Sequence, residues 1–315
     1  MINTTKILFK IIIKIFMLTY LLLRDMIIYI KLRKGYVELL LDKKIMSTKG
    51  LSEEAKMAKK FYDKLKDERE KNGRYLSWEH CYKEFYLARE RRKIGKLKDD
   101  DYDKLSLHLA FYLASWGMYR GSSFLLQRDY KVHTEVVKKI LNPEYDCLWA
   151  ISCDDLQNDK NDTWKKLEDL TDAINEIYID KRKKINGKDA KGKNVTMTLM
   201  TKILMGTLGC TPAYDRFFIR GLNEKNIEST TYTEYNYKKH KESLLNLINH
   251  DSSKFVNEEN EYIIEVNEAD YPDIKEIKYP PMKVLDMAFW QIGFDKDKEE
   301  QAQNVKNQAK GKSKK

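Results

Sequence analysis

Residues 105–118 read LSLHLAFYLASWGM, a stretch that is apolar on almost every side of a helix. A helix that is hydrophobic all round is usually buried, so the pattern predicts a helix at the centre of the fold. Gly117 and Gly121 are expected to end this helix, and the apolar run 122–126 is expected to begin another. The stretch therefore favours an all-α class built around one central helix.

The segments on either side carry further helix signals. Ser52 precedes two glutamates and Ser77 precedes Trp78, as is typical of residues that cap helices. Thr211 and Pro212 are a cap and a first-turn proline. Helices are predicted after Ser52 and Ser77, after Asp162, and over 194–208, 213–222, 235–250 and 282–292. Residues 255–279 alternate irregularly, so we expect one multi-helix globular domain over 46–294 with at most one short β-hairpin.

Composition and charge exclude several classes of protein. Of 315 residues, 42% are hydrophobic, and there are only 5 Pro and 13 Gly, which excludes a collagen-like or a disordered chain. Four widely spaced cysteines exclude a disulfide framework and favour reduced thiols and a cytoplasmic protein. The net charge of +10 lies at the two ends and leaves the body neutral. A nucleic-acid site must therefore be a local patch.

The two ends of the chain are basic. Residues 1–45 are also apolar, but Lys10, Lys14 and Arg24 interrupt them, and the longest uncharged run is shorter than the ~20 residues that span a bilayer. They are interpreted either as a membrane-interface helix or as translated sequence upstream of a start at Met46. A membrane partner follows only from the first interpretation. Residues 295–315 are predicted to be a disordered basic tail.

Residues 115–123, SWGMYRGSS, are the first candidate site. Free backbone N–H groups at a helix start, the hydroxyls of Ser122 and Ser123 and the guanidinium of Arg120 are groups that bind phosphate. We therefore predict a phosphate site, with Trp116 as a residue that stacks on a substrate. In the alternative interpretation, the glycines allow close helix packing and Ser122 is only a helix cap.

Residues 181–193, KRKKINGKDAKGK, are predicted to form a basic loop between two helices. Its first four residues, Lys181, Arg182, Lys183 and Lys184, are candidates for an outer phosphate contact. The segment GKDAKGK has the spacing of a phosphate-binding loop, but it lacks a preceding strand and a following Ser or Thr. A solvated basic loop is the alternative.

No metal or cofactor is predicted. The acidic run 99–103, DDDYD, is expected to be a solvated turn whose last carboxylate caps a helix. The five histidines and four cysteines do not have the spacing of a zinc site.

Residues 206–216, GTLGCTPAYDR, place Asp215 in the first turn of the helix expected after Pro212. The stretch resembles the end of the helix-hairpin-helix motif of DNA glycosylases, in which an apolar helix, a proline-containing turn and a helix-starting aspartate deliver the catalytic carboxylate. The resemblance implies that Asp215 is catalytic and that the target base is flipped out of the duplex. The alternative is that Asp215 caps its helix and pairs with Arg216 or Arg220.

Two functional hypotheses follow. The first is a protein associated with DNA or RNA, with a glycosylase-like reaction at a site that joins Arg120 and the two serines to Asp215, with Arg216 binding phosphate and Tyr214 stacking on the substrate. It requires the two glycine-containing turns to meet in space. The second is a non-enzymatic protein-interaction module with a buried Arg–Asp network. SWGMYRGSSFLLQ and GTLGCTPAYDR are also similar to stretches of uncharacterised bacterial helical proteins, some encoded near phage-defence genes, which implies no activity.

Overall fold

The chain divides into two units, Met1–Leu51 and Ser52–Lys315. The computed structural model describes residues 33, 51–121, 123–186, 194–229, 233–257, 262–267, 271 and 273–312. The predictions for Ser122 and for residues 187–193 lie outside the described residues, as do those for residues 1–45 apart from Arg33.

The second unit is a mostly helical globular domain with a two-strand antiparallel hairpin, which confirms the predicted fold class. Strands β1 (Ile263–Glu265) and β2 (Glu276–Lys278) place Ile264 opposite Ile277. The α-helices are α1 (Glu53–Glu70), α2 (Ser77–Lys93), α3 (Asp99–Ser115), α4 (Thr134–Ile140), α5 (Cys153–Gln157), α6 (Thr163–Asn186), α7 (Met197–Thr207), α8 (Arg216–Glu224), α9 (Tyr237–Asn249) and α10 (Pro281–Lys312). Along the described ranges, none of the helices is both long and apolar enough to cross a membrane.

Helix α7 is buried on almost every side, with only Thr198 partly exposed. The sequence instead predicted burial all round for α3, and that expectation is wrong. Leu107 and Phe111 of α3 are 53% and 55% exposed. They lie four residues apart on one helix face. An apolar helix surface is buried only where other elements cover it, and that arrangement is set by the tertiary fold.

Helices α8 and α10 cross with their backbones in contact. A Cβ atom at Gly221 would lie 1.9 Å from the carbonyl oxygen of Phe289, and one at Gly293 would lie 1.9 Å from that of Phe217. Only glycine allows this approach. The crossing fixes the start of α8, where Asp215 lies, against the long last helix.

Several helix boundaries differ from the predictions, and three of them concern predicted site residues or the predicted tail. Helix α8 begins at Arg216 rather than at Ala213, because side chains elsewhere in the fold bind the N–H groups of Ala213 and Tyr214. Helix α6 continues to Asn186, so residues 181–184 are helical rather than part of a loop. Helix α10 continues to Lys312, where a disordered tail was expected. Two of its aspartates pair with other helices: Asp295 with Lys60 at 2.6 Å and Asp297 with Arg220 at 3.1 Å.

Two short segments also differ. Asp99–Asp101 are the first turn of α3 rather than a separate turn, and the Asp101 carboxylate accepts the Lys98 N–H at 2.8 Å. That position is favourable because carboxylates stabilise the free N–H groups of a helix start. Residues 124–127 form turns, so the helix predicted over 122–126 is not found in its described part. Leu125 is nevertheless fully buried.

Candidate functional site

A cleft of about 760 Å³ opens where the end of α3, helix α7 and the start of α8 meet. Trp116 and Arg120 line it from the first glycine-containing turn, and Asp215 and Arg216 line it from the second segment. Lys202 of α7 contributes to the wall between them. The two turns therefore meet in space, as the nucleic-acid hypothesis requires.

The first turn is shaped by the way in which α3 ends. Gly117 has a φ of +78°, its N–H donates to the Ala114 carbonyl at 2.9 Å, and the Met118 N–H donates to the Leu113 carbonyl at 2.8 Å. This is a Schellman motif, which favours glycine at the left-handed position. A Cβ atom at Gly117 would lie 2.8 Å from Nε of Arg120. The arginine side chain thus packs over the glycine at the cleft wall.

The second segment, residues 209–215, is called here the Asp215 loop. The Ala213 N–H donates to Oδ1 of Asp286 at 3.0 Å, and the Tyr214 N–H donates to Oγ1 of Thr201 at 2.9 Å. The hydroxyl of Thr198 donates to the Tyr214 carbonyl at 2.9 Å. These bonds anchor the loop to α7 and α10 and fix the position of Asp215.

Asp215 forms a hydrogen-bonded pair with Lys202. One carboxylate oxygen, Oδ1, accepts the N–H groups of Phe217 and Phe218 at 3.1 Å, which caps α8. The other, Oδ2, accepts Nζ of Lys202 at 3.1 Å. The Lys202 side chain is 2% exposed, whereas that of Asp215 is 17% exposed. The lysine thus holds the carboxylate from the protein side, and the aspartate faces the cleft.

Three arginines surround this pair. Arg74, Arg120 and Arg216 are all exposed, and among the described residues none of them forms an ion pair with a carboxylate. Arg74 lies 5.8 Å from the Trp116 ring, and Arg216 lies 4.4 Å from the Phe217 ring. The cleft therefore carries more positive than negative charge, although the body of the chain is neutral.

Not every predicted site residue reaches the cleft. Tyr214 is fully buried, and its burial raises the pKa of the phenol, so it does not form the predicted stacking surface in this structure. Trp116 is half-buried and does line the cleft. Among the described residues, Asp215 pairs with Lys202 rather than with the expected Arg216 or Arg220, and Arg220 pairs with Asp297 and Glu300 instead.

The predicted basic group on residues 181–184 is divided between surfaces. Arg182 lines a second cleft of about 490 Å³, to which Arg120 and Ser123 also contribute. Lys181 and Lys184 line a different groove, beside helix α4. Lys183 is exposed and lies 3.5 Å from Asp180. A helix separates neighbouring side chains by about 100°, so the four residues do not act as one patch.

Each of the two segments at the cleft is supported by a buried histidine. Nε2 of His133 lies 2.7 Å from the Tyr119 hydroxyl, beside Arg120, while Nδ1 lies 2.6 Å from the hydroxyl of Tyr178. His240 lies 2.9 Å from the Thr211 hydroxyl in the Asp215 loop. Burial lowers the pKa of each histidine to about 3. Both imidazoles are therefore neutral near pH 7, and each can donate one hydrogen bond and accept another.

Arg74, Lys202 and Phe217 also line the cleft and are not among the site residues predicted from the sequence. Lys202 had a usable signal, since it is the one charged residue in the apolar run MTLMTKILMG of α7. A lysine buried in such a helix needs a partner. Arg74 had no comparable signal, because it lies far from the other cleft residues in the chain.

No group of His, Cys, Asp and Glu side chains suited to holding a metal ion occurs within the ranges that the structure covers. Comparisons of the chain with protein-family models, with curated proteins and with solved structures gave no match.

Proposed function

We propose that the cleft binds a nucleotide of DNA or RNA and that Asp215 acts there as the catalytic carboxylate of a base-excision reaction. The observation that carries the proposal is the convergence of Arg120 and Asp215, which lie 95 residues apart in the chain, on one cleft. Arg74 and Arg216, which form no ion pair within the described part of the chain, and the ring of Trp116 lie beside them.

The residues of the cleft suit the parts of a nucleotide. The guanidinium groups of Arg120 and Arg216 can each donate two hydrogen bonds to a phosphate. The half-buried ring of Trp116 offers a surface on which a base can stack. A volume of about 760 Å³ lies within the range of small-molecule sites.

In this proposal, the carboxylate of Asp215 stabilises a cationic sugar. When the bond between base and sugar breaks, the electron pair leaves with the base and positive charge develops on the sugar. A fixed carboxylate beside that charge lowers the barrier. Water then supplies a hydroxyl group to the sugar and a proton to the released base. Lys202 acts as a positioning residue, because it holds the carboxylate while its own side chain is buried.

A non-enzymatic interaction module is the second candidate. Both oxygens of Asp215 already have partners within the protein, which is what a purely structural aspartate would show. In this case the cleft arginines bind an anionic partner and no bond is broken.

Asp215→Asn separates the two candidates. Full-length protein is incubated with labelled single-stranded and duplex oligonucleotides that carry a deaminated, an oxidised or an alkylated base, and base release is detected by strand cleavage in alkali. The catalytic proposal predicts release by the wild type and a loss of about 100-fold or more in the variant, with oligonucleotide binding retained.

Asp180→Asn is the matched control, because Asp180 is an exposed carboxylate outside the cleft. It should release base at the wild-type rate. Oligonucleotide binding by the wild type without release from any substrate contradicts the catalytic proposal and supports the binding module.

A further inference from the structure

The second cleft adjoins the first, because the two share part of their walls. Its volume is about 490 Å³, and three residues, Met118, Arg120 and Thr196, line both clefts. Arg120 therefore lies at the boundary, with Asp215 on one side and Arg182 on the other.

Like the first cleft, the second is lined by arginines and an aromatic ring, but its described lining residues include no carboxylate. The guanidinium of Arg182 lies 5.1 Å from the Phe124 ring. Phe124 is half-buried, and its ring packs edge-on against Tyr178 at 5.3 Å, which fixes its orientation. Ser123 and Asn194 add polar groups to the wall.

We propose that the second cleft is a subsite for the neighbouring nucleotide, so that the ligand is a single strand that crosses from the Asp215 side over Arg120 to Arg182. This inference rests on the proposed function. Arg120 contacts the phosphate between the two nucleotides, and Arg182 contacts the next one.

A single strand fits these walls better than a duplex. Trp116 in the first cleft and Phe124 in the second are both half-buried rings with an arginine beside them. Aromatic rings and arginines that alternate along a groove are typical of proteins that stack unpaired bases and follow the backbone. Paired bases are already stacked on one another inside the duplex and do not offer their faces.

The first test measures how binding depends on ligand length. Full-length wild-type protein is titrated with a fluorescent thymidine hexanucleotide, with thymidine monophosphate and a dinucleotide as competitors and with a blunt duplex in parallel. The hexanucleotide and the dinucleotide should bind at least about tenfold more tightly than the monophosphate, because they add a phosphate contact and a stacked base. The duplex should bind more weakly than the hexanucleotide.

The second test removes the positive charge of Arg182 in the second cleft. Arg182→Gln should weaken hexanucleotide binding about tenfold and reduce the salt dependence of log K by about 0.7, while monophosphate binding stays within about twofold. Lys183→Gln is the matched control, because it removes the same charge from the next residue of α6, which lines neither cleft. Its hexanucleotide affinity should equal that of the wild type. Since the basic chain ends are the same in all variants, they cancel in this comparison.

Phe124→Leu provides an independent check, since it keeps the site apolar and removes the ring. It should weaken hexanucleotide binding and leave monophosphate binding unchanged.

The outcomes separate this inference from the proposed function. Equal affinities of wild type for monophosphate and hexanucleotide, with Arg182→Gln behaving like Lys183→Gln, overturn the second subsite. If Arg120→Ala still weakens the binding of both ligands in that case, the proposed binding of a nucleotide in the first cleft stands. If no nucleic acid binds at low salt, or if Arg120→Ala changes nothing, both proposals are overturned.

Discussion

Two lysine–aspartate pairs act on the same loop, and only one of them faces a cleft. Lys283 donates to Oδ2 of Asp286 at 2.8 Å, and their side chains are 2% and 5% exposed. Asp286 also accepts the Ala213 N–H in the Asp215 loop. Lys202 and Asp215 pair at 3.1 Å at the end of that loop, but Asp215 is 17% exposed.

The surroundings of the two lysines are also similar. Nζ of Lys283 lies 5.0 Å from the Trp78 ring, and Nζ of Lys202 lies 4.7 Å from the Trp116 ring. Charge pairing over an aromatic ring is therefore a structural device in this protein and does not by itself indicate chemistry. What distinguishes the Lys202–Asp215 pair is that its carboxylate lies in the wall of a cleft.

The largest effect is expected from Asp286→Asn. It leaves the Lys283 ammonium buried without a carboxylate, which should lower the free energy of unfolding by about 3 to 5 kcal/mol. Urea denaturation measures this change. Adding Lys283→Met to Asp286→Asn should recover most of the loss, because the buried charge is then gone.

Lys59→Gln is the control for that experiment. Lys59 and Asp63 form a surface pair at 3.8 Å, with side chains that are 30% and 33% exposed, so its removal should cost less than about 1 kcal/mol. A small loss of stability in Asp286→Asn would show that the buried Lys283–Asp286 pair is dispensable. The proposed difference between this pair and a surface pair would then be wrong.

The next effect concerns pH and the buried histidines behind the cleft. The pKa of His133 and of His240 is about 3 in the folded protein, below the value of about 6.5 in an unfolded chain. As pH falls below about 6.5, the unfolded state gains protons that the folded state does not bind. Stability is therefore full above that pH and falls toward pH 3. Between pH 7 and 5 each histidine should lower it by about 2 kcal/mol.

His240→Gln tests the assignment by urea denaturation at pH 7 and pH 5. The variant should be less stable at pH 7, since the Thr211 hydroxyl loses the imidazole as a partner, but its loss of stability between the two pH values should be smaller by about 2 kcal/mol. An unchanged slope in His240→Gln would show that another group causes the acid sensitivity.

A smaller loss of stability than that of Asp286→Asn is expected from Asp215→Asn, at about 1 to 2 kcal/mol by urea denaturation. Asparagine remains a good helix cap, and the side chain at this position is 17% exposed, so it stays in contact with solvent at the cleft. A loss as large as that of Asp286→Asn would show that both pairs are sealed structural elements and would favour the non-enzymatic candidate.

The helical class and many helix starts could be predicted from the sequence. Ser52 caps α1 through the Ala55 N–H at 3.1 Å, as its position before two glutamates predicted. The short hairpin was anticipated as well. These features depend on residues close together in the chain, where local hydrogen bonds and helical periodicity decide the structure.

The candidate site was predicted in part. Arg120, Trp116, Asp215 and Arg216 share a cleft. They could be singled out from the sequence because a glycine that ends a helix and an aspartate that begins one are local signals. The burial of Tyr214 and the pairing of Asp215 with Lys202 rather than with Arg216 were not predictable, because they depend on how α7 packs against the Asp215 loop.

By itself, the sequence determined where several helices begin to within a few residues, and it placed the net charge at the two ends. The tertiary structure decided which apolar helix is enclosed, since α7 is covered on nearly all sides while α3 leaves Phe111 exposed. It also brought Arg120 and Asp215 together. Helix periodicity reports one face of one segment, whereas enclosure and long-range pairing depend on contacts between segments whose arrangement no local pattern encodes.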